Sequence, residues 1–349
     1  MIGRHRERTV EELSRDVYDV LVIGGGIVGA RVAFDAALAG LRVALVVAGD
    51  FGGATSGASA RLVHGGLRYL PTGDFRLVRM ALRERNVLAS RVAPHLVRSL
   101  PFVLSAAGGR RQIWRCAAGL VVCAALDGFR SPLCRFVTPE EAVLLVPPLC
   151  AREPALHAIY YEARTNDSRL ALATVTAAAR CGAVVANYLR AADLELAPGR
   201  ISRVSLRGRE EEITVRCTAV VNATGPWLDL LRNVEDSACE PVTRLSKGIH
   251  VVLRPDEQWR AAVAVSLDDG QHLYTVPYED RILLGTTEQE YHGDPAGVAA
   301  EPEDISWKWP ATSYFPRCSA ASGSYGFSRS CVSCPGESKR RSMPAGTTS

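Results

Sequence analysis

Asp19 is followed by four aliphatic residues, Val-Leu-Val-Ile23, a run short and apolar enough to be a strand covered on both faces. Gly24-Gly-Gly-Ile-Val-Gly29 interrupts it, and Ala- and Leu-rich sequence with helical spacing then runs to Gly40. Arg42-Val-Ala-Leu-Val-Val47 repeats the buried-strand pattern. Strand, glycine turn, helix and strand within about thirty residues predict a βαβ unit.

Beyond it, Leu77 to Val92 reads as a charged amphipathic helix ending before Pro94. Ser168 to Cys181 reads as a helix closed by Gly182, with a strand from Ala183 to Asn187. Ile201–Leu206, Glu212–Arg216 and Ala219–Asn222 read as strands, as do Ile249–Leu253, Ala262–Ser266, Leu273–Val276 and Ile282–Leu284. A nucleotide-type fold followed by a strand-rich region predicts an α/β chain: a Rossmann-like domain carrying an antiparallel β substrate cap. The expected division is a polar arm at 1–17, a nucleotide domain at 18–95 and 150–240, and a cap at 96–149 and 241–307. No internal repeat is visible.

The chain has 349 residues, 47% of them hydrophobic and 22% charged, which fits one or two globular domains and excludes a disordered or collagen-like chain. Its net charge of +4 is uneven. Six basic residues against Glu337 make the last 42 residues +5, which leaves 35 basic and 36 acidic residues, or −1, before Lys308. A body of that charge offers no nucleic-acid surface. The last 42 residues contain ten Ser and no sustained helix or strand pattern, so they read as a disordered tail.

Met1 to Asp16 has no apolar core and is not a secretory signal. Cys116 to Leu126 is the longest near-apolar run, far short of the roughly 20 residues that span a bilayer. With Arg110, Arg111 and Arg115 just before it, it reads as a buried helix in preference to an interfacial one. Seven cysteines scattered through the body suit reduced thiols in a cytoplasmic core. Cys331 and Cys334 form a lone CxxC without further ligands, so no metal site is expected.

The glycine loop carries the first chemistry. Gly24 permits a tight turn, Gly26 lets the backbone approach a pyrophosphate, Gly29 allows close helix–strand packing, and the helix N-terminus attracts the anion. An acidic residue about 20 positions on should bind ribose hydroxyls, but the second strand ends in Val46-Val47. Asp50 can serve on spacing, or can lie in the loop.

Gly49-Asp-Phe-Gly-Gly-Ala-Thr55-Ser56-Gly-Ala-Ser59-Ala-Arg-Leu-Val-His64-Gly65-Gly66-Leu-Arg68-Tyr69-Leu, taken with the glycine loop, resembles the FAD-dependent glycerol-3-phosphate dehydrogenases, within the D-amino-acid-oxidase-like flavoproteins. The likeness continues in Asn166-Asp-Ser-Arg-Leu170, Asn222-Ala-Thr-Gly-Pro-Trp227, Arg244-Leu-Ser-Lys247-Gly-Ile-His250 and Gly285-Thr-Thr-Glu288, and covers about residues 18–307. The resemblance implies a non-covalent FAD that takes hydride from C2 of sn-glycerol 3-phosphate to give dihydroxyacetone phosphate. It further implies a quinone acceptor and peripheral contact with the cytoplasmic membrane. By position, Gly24, Gly26 and Gly29 would hold the pyrophosphate. Thr55, Ser56, Gly65, Gly66, Thr224 and Gly225 would approach the flavin nucleotide. Arg68 and Lys247 would grip the phosphate, His250 would lie near the reacting carbon, and His64 sits in the same block. Arg and Lys suit a phosphate, and a histidine suits removal of a hydroxyl proton. His5, His95, His157, His272 and His292 have no such context.

The chain departs from the family at Val47, where an acid is usual, and at Arg31, where a small residue is usual. After Trp307 the family's returning strand and Arg-Pro-Leu motif are not recognisable. The chain therefore reads as a C-terminally truncated member, its end the product of a shifted frame or a degraded gene. Two alternatives remain at this level: a non-catalytic remnant with weak or no FAD binding, and a related flavin oxidase of amino or hydroxy acids. Arg68 and Lys247 argue against the second.

Overall fold

The computed structural model describes residues 2–107, 110–130, 132, 134–149, 155–197, 200–255, 257–266, 272–301, 304 and 326–335. Its helices are α1 (Ile2–Arg15), α2 (Ile27–Leu38), α3 (Phe75–Val87), α4 (Arg110–Leu126), α5 (Pro139–Leu145), α6 (Asp167–Arg180) and α7 (Leu228–Glu235). The first eight strands are β1 (Val17–Ile23), β2 (Val43–Val46), β3 (Leu62–Val63), β4 (Arg98–Ala107), β5 (Arg135–Val137), β6 (Ala155–Arg164), β7 (Val184–Ala186) and β8 (Arg190–Ala197). The remainder are β9 (Arg200–Arg207), β10 (Glu212–Asn222), β11 (Thr243–Leu253), β12 (Ala262–Ser266), β13 (His272–Tyr278), β14 (Arg281–Gly285), β15 (Gln289–Tyr291) and β16 (Gly326–Pro335).

Two sheets organise the chain. The first has the order β7-β2-β1-β10-β9-β8. Its first four strands are parallel, and β9 and β8 extend it antiparallel. β1 and β2 are aliphatic on both faces because both faces are covered. Ala30, Ala33 and Ala37 of α2 join Val175 and Ala178 of α6 on one side, and Leu13 and Leu231 pack on the other. The alanines allow α2 to lie close to the sheet, which holds the glycine loop at the carboxyl ends of β1 and β10. That edge, where the chain passes from one side of β1 to the other, is where open α/β sheets bind ligands.

The second sheet runs β15-β11-β14-β13-β12-β4-β6-β3, with β16 beside β11 and β5 beside β6. Val103, Ile159, Val263 and Leu284 fill one face; Phe102, Leu104, Tyr160 and Ala262 fill the other with Leu120 of α4.

The cap is therefore mixed and not wholly antiparallel, because β12 pairs β4 in parallel. β6 pairs β4 along its whole length, so residues up to Arg164 belong to the cap sheet and not, from 150, to the nucleotide layer. β3 joins the same sheet through Leu62 and Val63. The polar arm is α1, a helix whose Leu13 is fully buried. α4 is only partly covered: Leu120 is buried, but Trp114, Val121 and Val122 face outward. The tail, read from sequence as patternless, contains β16, antiparallel to β11 from Thr243 to Val252.

Candidate active site

The first group of site residues gathers at the carboxyl edge of the parallel strands. Gly24 has φ +122°, and a Cβ there would lie 2.2 Å from the Ala223 carbonyl oxygen. A Cβ on Gly29 would lie 1.9 Å from the Gly24 carbonyl, so α2 starts at a distance only glycine permits. Gly26 caps α2 without a side chain, and no acid occupies the first turn. The helix therefore presents its N-terminal dipole without a competing carboxylate. Ser56, in the short turn Thr55–Gly57, reaches the same place: its Oγ accepts the Ile27 N–H at 3.0 Å.

The strand end at Asn222 forms the neighbouring wall. Asn222 Oδ1 accepts from the Thr224 N–H at 3.2 Å and from Thr224 Oγ1 at 2.7 Å, while its Nδ2 donates to the Leu228 carbonyl. Gly225 follows with φ +61°. Gly24, Gly26, Gly29, Ser56, Thr224 and Gly225 thus come together from three separate stretches of sequence. The residue just past the end of β2 is Val47, which offers them no carboxylate. The half-buried Val47 packs against the glycine loop, where a Cβ on Gly25 would come within 2.9 Å of its Cγ1. Asp50 Oδ1 is taken by the Phe51 N–H at 2.9 Å and by Asn187 Nδ2 at 3.3 Å.

The second group lies on the cap sheet. His250 stands in β11 opposite Gly285 of β14 and is 4% exposed, and neither of its ring nitrogens has a partner among the described residues. Gly285, at φ +148°, has no room for a side chain beside Ile249. Thr287 Oγ1 accepts the Ile249 N–H at 3.1 Å, which fixes the strand next to the histidine. Burial, and secondarily the positive charge of Arg61, lower the His250 pKa from 6.5 to about 4. At neutral pH the ring is therefore uncharged, with an unprotonated nitrogen lone pair whose protonation burial and Arg61 both oppose.

Arg61 is the residue that the sequence reading missed. Its backbone is held at φ +61°, a region a long side chain rarely enters. Ser59 Oγ accepts its N–H at 3.1 Å, and its carbonyl accepts the Thr165 N–H at 3.0 Å. Ser59 in turn donates to Asp167 Oδ2 at 2.6 Å. The guanidinium lies 5.1 Å from the centre of the Tyr278 ring and donates through Nη2 to the Gly57 carbonyl at 2.8 Å. Its Nη1 is buried and has no hydrogen-bond partner among the described residues. A half-buried cation and a buried neutral imidazole, each with a buried nitrogen unpartnered among the described residues, thus share one locality. Its only sequence signal was a charged residue inside a run of Gly, Ala and Ser.

Lys247 is placed differently from the expectation. It is buried, with Nζ 2.8 Å from Asp304 Oδ2 and 3.3 Å from Glu301 Oε2, and these acids raise its pKa. Two carboxylates thus answer its charge in this structure. His64 is exposed, its ring 6.1 Å from that of Tyr69. Gly65 and Gly66 are buried in the turn before the short helix Leu67–Thr72. That helix contains Arg68, whose side chain lies outside the described residues. Among the described residues there is no cluster of metal-ligating side chains, and no helix is long and apolar enough to cross a membrane.

The chain is 34% identical to glycerol-3-phosphate dehydrogenase of Mycobacterium leprae, over 87% of its own length and 52% of that protein. It is 32% identical to alpha-glycerophosphate oxidase of Streptococcus pyogenes, over 86% of its own length and 51% of that protein. It thus spans about half the length of the curated relatives it matches. Among solved structures, glycerol-3-phosphate dehydrogenase from Bacillus halodurans complexed with FAD superposes with a TM-score of 0.76. That match has 27% identity and covers 95% of this chain and 60% of the other. Glycine oxidase from Geobacillus kaustophilus, at 21% identity and a TM-score of 0.67, shares the fold; the match covers 91% of this chain and 83% of that one. The family of FAD-dependent oxidoreductases matches residues 19–336, running past Trp307 into the tail. The chain belongs to that family, the D-amino-acid-oxidase-like FAD-dependent oxidoreductases.

Proposed function

We propose that this chain binds FAD non-covalently and oxidises sn-glycerol 3-phosphate at C2 to dihydroxyacetone phosphate. The observation that carries the reading is the proximity of His250 and Arg61: an uncharged buried imidazole within the field of a half-buried guanidinium, each with a buried nitrogen that has no partner among the described residues.

The residues fit the cofactor. Gly24, Gly26 and Gly29 open the backbone at the α2 N-terminus, and Ser56, Thr224 and Gly225 border the same edge. These residues would hold the dinucleotide, with Val47 contributing no charge to the ribose. When bound, FAD supplies the hydride acceptor. His250 takes the hydroxyl proton on one of its free ring nitrogens. Arg61 keeps positive charge next to it, which favours an anionic substrate and the negative charge that develops on the oxygen. Arg68 is the further cation for the phosphate, whereas Lys247 anchors Asp304 and Glu301. Burial of His250 keeps water from the ring and strengthens the electrostatic interactions made there.

The family resemblance supports a quinone as electron acceptor and peripheral placement at the cytoplasmic membrane. The test is steady-state reduction of an artificial dye acceptor by the FAD-loaded protein. Glycerol 3-phosphate should drive dye reduction with matching formation of dihydroxyacetone phosphate. Dye reduction by glycine or proline but not by glycerol 3-phosphate would replace this reading with an amino-acid oxidase. No reduction with any of them would make the chain a binding remnant.

A further inference from the structure

We infer that Glu162 is a positioning residue for the His64–Gly65–Gly66 turn, and through it for the Arg68 segment; this deepens the glycerol 3-phosphate reading and rests on it. Glu162 lies in β6 within the cap sheet, remote in sequence from the turn it touches. Its Oε2 accepts the Gly65 N–H at 2.7 Å and Arg85 Nη1 at 3.0 Å. Arg85 Nη1 also donates to the Tyr161 carbonyl at 2.9 Å, and Asp127 Oδ1 lies 3.9 Å from Arg85 Nη2. Asn86 Nδ2 donates to the same Asp127 oxygen at 2.6 Å, closing the cluster.

The side chains of Arg85, Asp127 and Glu162 are 6%, 4% and 6% exposed. Burying such charges is costly, and apolar residues of similar size commonly serve stability as well or better. What an apolar residue at 162 would lack is an acceptor for the Gly65 N–H. The turn is packed tightly there: a Cβ on Gly65 would lie 2.4 Å from Leu82 Cδ2 and 3.0 Å from Arg85 Nη1, so the backbone is pressed onto this cluster. Gly66 then enters the left-handed region at φ +80° and starts Leu67–Thr72. The carboxylate oxygen therefore fixes the backbone at the point from which His64 leads in and Arg68 leads out. A cavity of about 40 Å³ lined by Arg85, Asp127, Glu162, Cys123 and Cys134 adjoins the cluster. It is large enough for water to enter if the oxygen is withdrawn.

Two variants separate an acceptor role from a charge role. Glu162→Gln keeps an acceptor oxygen at the same reach and removes the charge; Glu162→Asp keeps the charge and withdraws the oxygen by one methylene. For the FAD-loaded full chain, positioning predicts that Glu162→Asp raises KM for glycerol 3-phosphate by about ten-fold or more. Glu162→Gln should stay within about three-fold of the parent. Amide hydrogen exchange over residues 62–70 should quicken in Glu162→Asp and stay near the parent in Glu162→Gln. The reverse order in KM and exchange, or equal effects of both variants, overturns the inference. If the parent oxidises no glycerol 3-phosphate, the functional reading fails, while the exchange measurement still decides whether Glu162 holds the turn.

Discussion

The buried imidazole of His250 makes folding pH-dependent in a direction that can be worked out beforehand. In the unfolded chain the ring takes a proton near pH 6.5; in the fold, burial and Arg61 hold it uncharged down to about 4. As pH falls, the unfolded state binds a proton that the folded state refuses, so stability is complete above 6.5 and drains away toward 4. The full shift corresponds to about 3 kcal/mol, and the part lost between about pH 7.5 and about pH 5 is about 2 kcal/mol. Urea unfolding followed by tryptophan fluorescence at those two pH values measures the loss. The same pair of measurements on His250→Gln removes the contribution of this one group from that of all others. The parent should lose about 2 kcal/mol more than the variant. Equal losses would mean that His250 is solvated or paired in solution, and the argument for a neutral buried base would fall.

Val47→Glu supplies a carboxylate beside the glycine loop, and a charged bond to ribose is worth about 1.5–3 kcal/mol. FAD affinity should therefore rise about ten-fold or more, read by quenching of flavin fluorescence. Leu13→Ala removes a fully buried side chain from the core under the first sheet. It should cost about 2–5 kcal/mol, seen as a lowered Tm; an unchanged Tm would show that α1 does not dock. Gly29→Ala forces a methyl group into the Gly24 carbonyl. The variant should purify with little or no flavin, measured by its visible spectrum.

The nucleotide half was legible because its chemistry is local. A buried strand, three glycines and an alanine-rich helix lie within thirty consecutive residues, and the phosphate-binding geometry requires that spacing. The cap was harder. β4 carries Pro101 in mid-strand, which argues against a strand, yet it pairs on both sides. β6 contains the buried polar residues His157 and Glu162, which break the apolar pattern. α1 shows only a narrow apolar stripe ending in Leu13, so composition concealed it.

The site divides along the same line. Gly24, Gly26 and Gly29 could be read from their own neighbourhood, whereas Ser56 came only through the family resemblance. Lys247 could not, because Asp304 and Glu301, more than fifty positions later, decide what its charge does. Arg61 gains its role from a left-handed backbone and from Tyr278 and His250 on distant strands, none of which leaves a local mark.

In the proposed function, the His250–Arg61 locality and the glycine-loop crevice together make the site that would oxidise glycerol 3-phosphate. Anaerobic addition of sn-glycerol 3-phosphate to the FAD-loaded chain tests it within one turnover, without need of an acceptor. The account predicts bleaching of the visible flavin band in the parent and its loss or marked slowing in His250→Gln. A parent protein that holds FAD but keeps its colour in saturating glycerol 3-phosphate would contradict it.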